Sequence, residues 1–161
     1  SETAIDICRQ TLPDGEFHTG PAETLPFSDS RFDLVTCLGS LEHFLDPQSA
    51  LQEMVRVARP DANFLILVPN AGFLTRRLGF YSGTQQASVR EEVLPLSEWN
   101  DLFESAGLQV TERWKDLHVL SWTWIGNEGW TKVPMRFAQA ASLPFWPLEW
   151  QYQVYHLMTP V

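Results

Sequence analysis

Apolar residues fall into two periods along the chain. Over residues 1–10, Ala4, Ile5 and Cys8 recur at helical spacing and predict a helix, closed by the turn residues Pro13-Asp14-Gly15. Glu16 to Thr19 is a short strand candidate, and residues 20–31 form a polar loop broken by Leu25-Pro26-Phe27. Phe32 to Leu38 is a nearly continuous apolar run, the pattern of a strand covered on both faces. Asp46-Pro47 predicts a helix start, since Asp accepts from free N–H groups and Pro fits the first turn. Ala50, Leu51, Met54, Val55 and Ala58 then make one apolar face, and Pro60 closes that helix. Phe64 to Val68 is a second buried strand, ended by Pro69 and Asn70.

Residues 71–96 hold no sustained period and carry Gly72, Gly79 and Gly83, which predicts a long lid or substrate loop. Ser97 is the expected cap of a helix with Trp99, Leu102, Phe103 and Ala106 on one face and Gly107 as its stop. Residues 108–120 read as a strand, 121–149 as an irregular segment rich in Trp, Phe and Pro, and 150–158 as a last strand. The fold class is α/β: a mostly parallel sheet with helices on both faces and a C-terminal antiparallel strand, one domain over residues 1–161.

Composition narrows the function. A chain of 161 residues with 44% hydrophobic and 19% charged residues can bury one core. Its net charge of −9 repels phosphate backbones, so nucleic acid is a poor partner. Cys8 and Cys37 have no metal-ligand spacing and read as two reduced, buried thiols. No apolar run reaches the length of a membrane span, and the first residues lack a signal-peptide layout, so the expected location is cytoplasmic.

The candidate chemistry lies in loops that follow strands. Gly20-Pro21-Ala22-Glu23-Thr24-Leu25-Pro26-Phe27-Ser28-Asp29-Ser30-Arg31-Phe32-Asp33-Leu34-Val35 resembles the pattern G-D-A-E-x-L-P-F-x-D-x-x-F-D-x-V. Leu41-Glu42-His43-Phe44, Asp46-Pro47 and Arg56-Val57-Ala58-Arg59-Pro60 continue it in register. On these motifs the chain resembles the class I S-adenosylmethionine-dependent methyltransferases (type 11-like), most densely over residues 16–70. The resemblance implies an incomplete Rossmann-like fold and methyl transfer to a small or medium acceptor, apolar or aromatic if the five tryptophans between 122 and 150 serve it. It implies that the Gly20, Pro21, Ala22 and Glu23 loop lies against the adenine, with the Ala22 N–H bonding the ring. Pro21 stands where the family usually has an acid. The Cys37 and Leu38 main chain would approach the methionine part, and His43 would lie near the transfer site. Arg76 and Arg77, in the lid region, are candidate substrate contacts. Asp33 is expected to order a nearby loop, and Arg56 and Arg59 to form a solvated helix face.

The family's first strand ends in a glycine-rich turn and its second in an acid that holds the ribose. This sequence has no G-x-G-x-G, and residues 1–10 correspond to the helix after that acid. The expectation is therefore an N-terminally truncated chain that is inactive alone and binds S-adenosylmethionine weakly. The alternative is a non-catalytic remnant serving as an oligomerising or interaction module. In the resembled fold the 32–38 strand is central, so here it would be an open edge. Residues 16–19 could collapse onto it, the chain could aggregate, or two copies could pair. The short 16–19 strand with His18 covers it poorly, which favours a homo-oligomer.

Overall fold

The structure, a computed structural model, describes residues 2–79, 92–121, 123 and 133–161. Its elements are α1 (Glu2–Thr11), β1 (Phe32–Leu38), α2 (Pro47–Val57), β2 (Ala58–Pro69), α3 (Leu74–Arg77), α4 (Leu96–Ser105), β3 (Leu108–Lys115), α5 (Val133–Ser142) and β4 (Gln153–Pro160). Among the described residues the strands form one sheet in the order β1-β2-β4-β3. β1 and β2 are parallel, and β4 runs antiparallel to both β2 and β3. Three strands thus share a direction, and the C-terminal strand is slotted between two of them.

Local chemistry explains the best-formed elements. Asp46 caps α2, its Oδ1 accepting from the Ser49 N–H at 3.1 Å, with Pro47 in the first turn. Ala50, Leu51, Met54 and Val57 are buried on its inner face. The helix ends at Val57, before Pro60, which lies inside β2. α4 ends where Gly107 takes φ +85°, a conformation that suits glycine. Its N-cap is Pro95 rather than Ser97.

One face of the sheet carries the core. Val35 and Cys37 of β1, Phe64, Ile66 and Val68 of β2, and Val154, His156 and Met158 of β4 share it by alternation and register. Leu51 and Met54 of α2 and Trp99 and Phe103 of α4 pack there. The opposite face presents Leu34, Thr36 and Leu38, then Leu65 and Leu67, Tyr155 and Leu157, and Trp114, whose ring stacks on Tyr155 at 5.7 Å.

Further expectations change. β1 is not covered on both faces: Cys37 is buried, but Leu34 and Leu38 on its other face are exposed. Residues 16–19 form no strand: among the described residues no strand pairs with them, so their main chain makes no ladder. α1 buries no side chain, and Cys8 on it is exposed, so only Cys37 is a buried thiol. The strand expected over 108–120 stops at Lys115, followed by a 3-10 turn over His118–Leu120. Within 121–149, residues 133–142 are helical, with Pro134 placed in the first turn where its missing N–H costs little. Residues 80–91, 122 and 124–132, which include most of the expected lid, lie outside the described residues.

Candidate functional site

Ligands of open α/β sheets bind beyond the carboxyl ends of the parallel strands. In this chain those ends are adjacent: Leu38 pairs with Leu67, and the Gly39 N–H donates to the Leu67 carbonyl at 3.0 Å. Gly39 then takes φ +63° and turns the chain off the sheet. A Cβ on it would lie 3.8 Å from Gln153 Nε2 and 3.9 Å from Glu42 Oε1, so the turn, the start of β4 and Glu42 converge. Leu41–His43 form one 3-10 turn. Glu42 is only 4% exposed, whereas His43 is exposed. Burying a carboxylate is costly, which singles out Glu42 at this edge. The Cys37 thiol below it is pushed up to about 12, first by burial and then by the Glu42 charge. It therefore stays protonated at neutral pH and is no nucleophile.

Asn70, just past β2, ties the other wall together. Its Nδ2 donates to the carbonyls of Glu149 at 2.8 Å and Gln151 at 3.1 Å. Its Oδ1 accepts from the Gly72 N–H, and its own N–H donates to the Tyr152 carbonyl. The Trp99 indole N–H caps the Pro69 carbonyl at 2.8 Å. Gln151 is buried at 5% exposure, and among the described residues its Nε2 has no hydrogen-bond partner.

The 20–29 loop is fastened beside this edge by charged groups. Glu23 Oε1 accepts from the N–H groups of Leu45 and Asp46 at 3.1 and 3.2 Å, linking the loop to the segment after His43. Arg56 donates to the carbonyls of Leu25 and Phe27, to Asp29, and through two nitrogens to Glu53. Glu53 also accepts from the Leu25 N–H at 2.9 Å. Arg56, and then that N–H, hold the Glu53 carboxyl down at about 2. Arg56 is therefore an anchor and not a solvated charge. Arg59 lies 3.6 Å from Asp33.

Of the residues expected at a site, Cys37, Leu38 and His43 lie at the end of β1 and in the turn after it, and Glu23 is bonded to the segment that follows His43. Gly20 and Pro21 are exposed and Ala22 half-buried on the same loop. The Leu38 side chain lies on the opposite face of the sheet from Cys37 and is exposed. Arg76 and Arg77 are exposed on α3, which starts five residues past β2. Sequence reasoning did not single out Glu42, Asn70, Gln151 or Gln153 as site groups. Only Glu42, inside the Leu-Glu-His motif, carried a local signal.

Residues 1–66 match the family described as Methyltransferase domain. Over 119 residues the chain is 34% identical to the uncharacterized methyltransferase YcgJ of Bacillus subtilis, covering 70% of this chain and 46% of that protein. The chain belongs to the class I S-adenosylmethionine-dependent methyltransferases. It is 27% identical over 135 residues to the demethylmenaquinone methyltransferase of Renibacterium salmoninarum, covering 82% of this chain and 55% of that one. A solved S-adenosylmethionine-dependent methyltransferase of Thermotoga maritima, titled a possible histamine N-methyltransferase, shares the fold with a TM-score of 0.65 at 17% identity. That match covers 95% of this chain and 69% of the other. The chain spans about half the length of the curated relatives it matches.

The groups at this edge suit part of the family's cofactor. A buried carboxylate beside the Gly39 turn and two side-chain amides match a cationic, hydrogen-bonding ligand end. Among the described residues no glycine-rich turn and no strand-end acid stands where a ribose would be held. Among the described residues no group of three His, Cys, Asp or Glu could hold a metal, and no helix is long and apolar enough to cross a membrane.

Proposed function

We propose that this chain forms one side of a site for methyl transfer from S-adenosylmethionine to a small-molecule acceptor. The observation that carries the reading is the convergence of the Gly39 turn, buried Glu42 and the Glu23-fastened 20–25 loop at one edge of the sheet. The Ala22 main chain would meet the adenine, the Cys37 and Leu38 main chain the methionine part, and Glu42 the cationic end. When bound, S-adenosylmethionine supplies an electrophilic methyl group on a sulfonium. The protein's own task is to hold both reactants in line and keep water out, which lowers the barrier through orientation alone. A general base is optional for an acceptor that is already nucleophilic, and on this reading His43 would take that role. Arg76 and Arg77 are proposed as acceptor contacts.

An apolar or aromatic acceptor is consistent with the aromatic-rich C-terminal part. One relative is named a demethylmenaquinone methyltransferase. With no ribose-holding acid or glycine-rich turn among its described residues, the 161-residue chain is expected to bind the cofactor only weakly. The test is a titration of the isotope-labelled chain with S-adenosylmethionine up to millimolar concentration, followed by NMR. The expected result is shifts confined to amides of residues 20–23, 37–43 and 70–72. Shifts elsewhere alone, or none at all, would overturn the reading.

A further inference from the structure

The segment from Glu23 to Arg31 is laid along α2 and bonded to it at both ends. At the far end of the helix, the Ser30 N–H donates to the Arg56 carbonyl at 3.0 Å and the Arg31 N–H to the Val57 carbonyl at 2.7 Å. Before that, Arg56 and Glu53 hold Leu25, Phe27 and Asp29. At the near end, among the described residues, the 20–24 stretch is bonded to the rest of the chain through Glu23. One of its carboxylate oxygens accepts from both the Leu45 and the Asp46 N–H, at 3.1 and 3.2 Å. Hydrogen bonds to a charged acceptor are the stronger kind, and negative charge is favoured where a helix begins.

Those two N–H groups lie just past the turn that leaves β1. Leu41–His43 form the turn, Phe44 follows it, and Leu45 and Asp46 lead into α2. Phe44 and Leu25, close in sequence to the bonded residues, both pack against the core. On the loop side, the Thr24 N–H donates to the Pro21 carbonyl at 3.3 Å, which closes a turn around Ala22 and Glu23. Glu23 is the anchored member of that turn, so its position fixes where the Ala22 main chain stands. A single side chain thus joins two segments that the reading above assigns to different parts of one ligand. The 20–23 loop is given the adenine, and the 37–43 stretch the methionine part.

We propose that Glu23 is a positioning residue: it sets the spacing between the adenine-facing loop and the turn after β1 without itself touching the cofactor. The proposal rests on the adenine reading of residues 20–23. The test is an NMR titration of the isotope-labelled 161-residue chain, Glu23→Ala and Glu23→Gln with adenosine, which lacks the sulfonium and the amino-acid part. Circular dichroism and the amide shifts of β2 check the fold. In the wild type, adenosine should shift the amides of residues 20–23 and, through Glu23, those of Leu45 and Asp46. Glu23→Ala should lose the Leu45 and Asp46 response and bind about fivefold or more weakly, for the loss of two hydrogen bonds. Glu23→Gln keeps an oxygen for the same two N–H groups and should recover most of both effects. No response at 20–23 in the wild type would overturn the adenine reading and this proposal with it. A wild type that responds at 20–23 but not at Leu45 and Asp46 would overturn the proposal alone. So would Glu23→Ala with unchanged affinity, or Glu23→Gln as weak as Glu23→Ala.

Discussion

His156 should make this fold sensitive to mild acid. It sits at 0% exposure on β4, against the edge of Phe103 at 5.3 Å, its Nδ1 3.1 Å from the Val154 carbonyl. Burial, and then the Arg113 charge on β3, lower its pKa from 6.5 to about 4. The folded chain therefore keeps the ring neutral where the unfolded chain protonates it. Stability from this group is complete above pH 6.5, falls as the pH drops below that, and levels off below about 4. At about 1.4 kcal/mol per pH unit, the gap is worth about 3 kcal/mol, a large share of a small domain's stability. The assay is urea unfolding of the wild type and His156→Leu at intervals from pH 8 to pH 4. The variant loses packing at every pH but should lack this slope, so the difference between the two should shrink as the pH falls. Glu53, Asp46 and Glu16, whose pKa values are lowered, titrate in both proteins and cancel in the difference. A pH-independent difference would refute the reasoning.

Two further outcomes follow from the packing. Cys8 should react with a thiol reagent at once in the native chain, and Cys37 only on unfolding, since it is 6% exposed and held protonated. Arg56→Met should free the 23–29 loop, raising cleavage there by a protease and costing about 1–3 kcal/mol from its lost carbonyl and carboxylate contacts.

What could be read from the sequence was what short-range chemistry decides. The Asp46-Pro47 start needs only its own turn, and the 32–38 and 64–68 runs announce strands by composition, although of β1 only Cys37 is buried. The Gly107 stop follows from a single φ angle. What could not be read depends on partners far along the chain. Whether 16–19 becomes a strand is set by its neighbours and not by its side chains. Asn70 looks like a strand terminator until residues 149–152, some 80 positions on, come back to it. Arg56 looks solvated until the 25–29 loop folds over it, and Glu42 looks like a favourable charge near a helical turn until the fold buries it beside Gly39. The helix at 133–142 was hidden by aromatic and proline content that suggests irregular chain.

The 20–23 loop is proposed to meet the adenine of S-adenosylmethionine. The most direct test joins this chain to the part of its relative YcgJ that the match leaves uncovered. Cofactor binding is then measured by calorimetry with and without Ala22→Pro, which deletes one main-chain N–H. The joined chain should bind more tightly than the 161 residues alone, and Ala22→Pro should weaken it by about 1 kcal/mol, roughly fivefold. Equal affinity with Ala and with Pro at position 22 would contradict the claim.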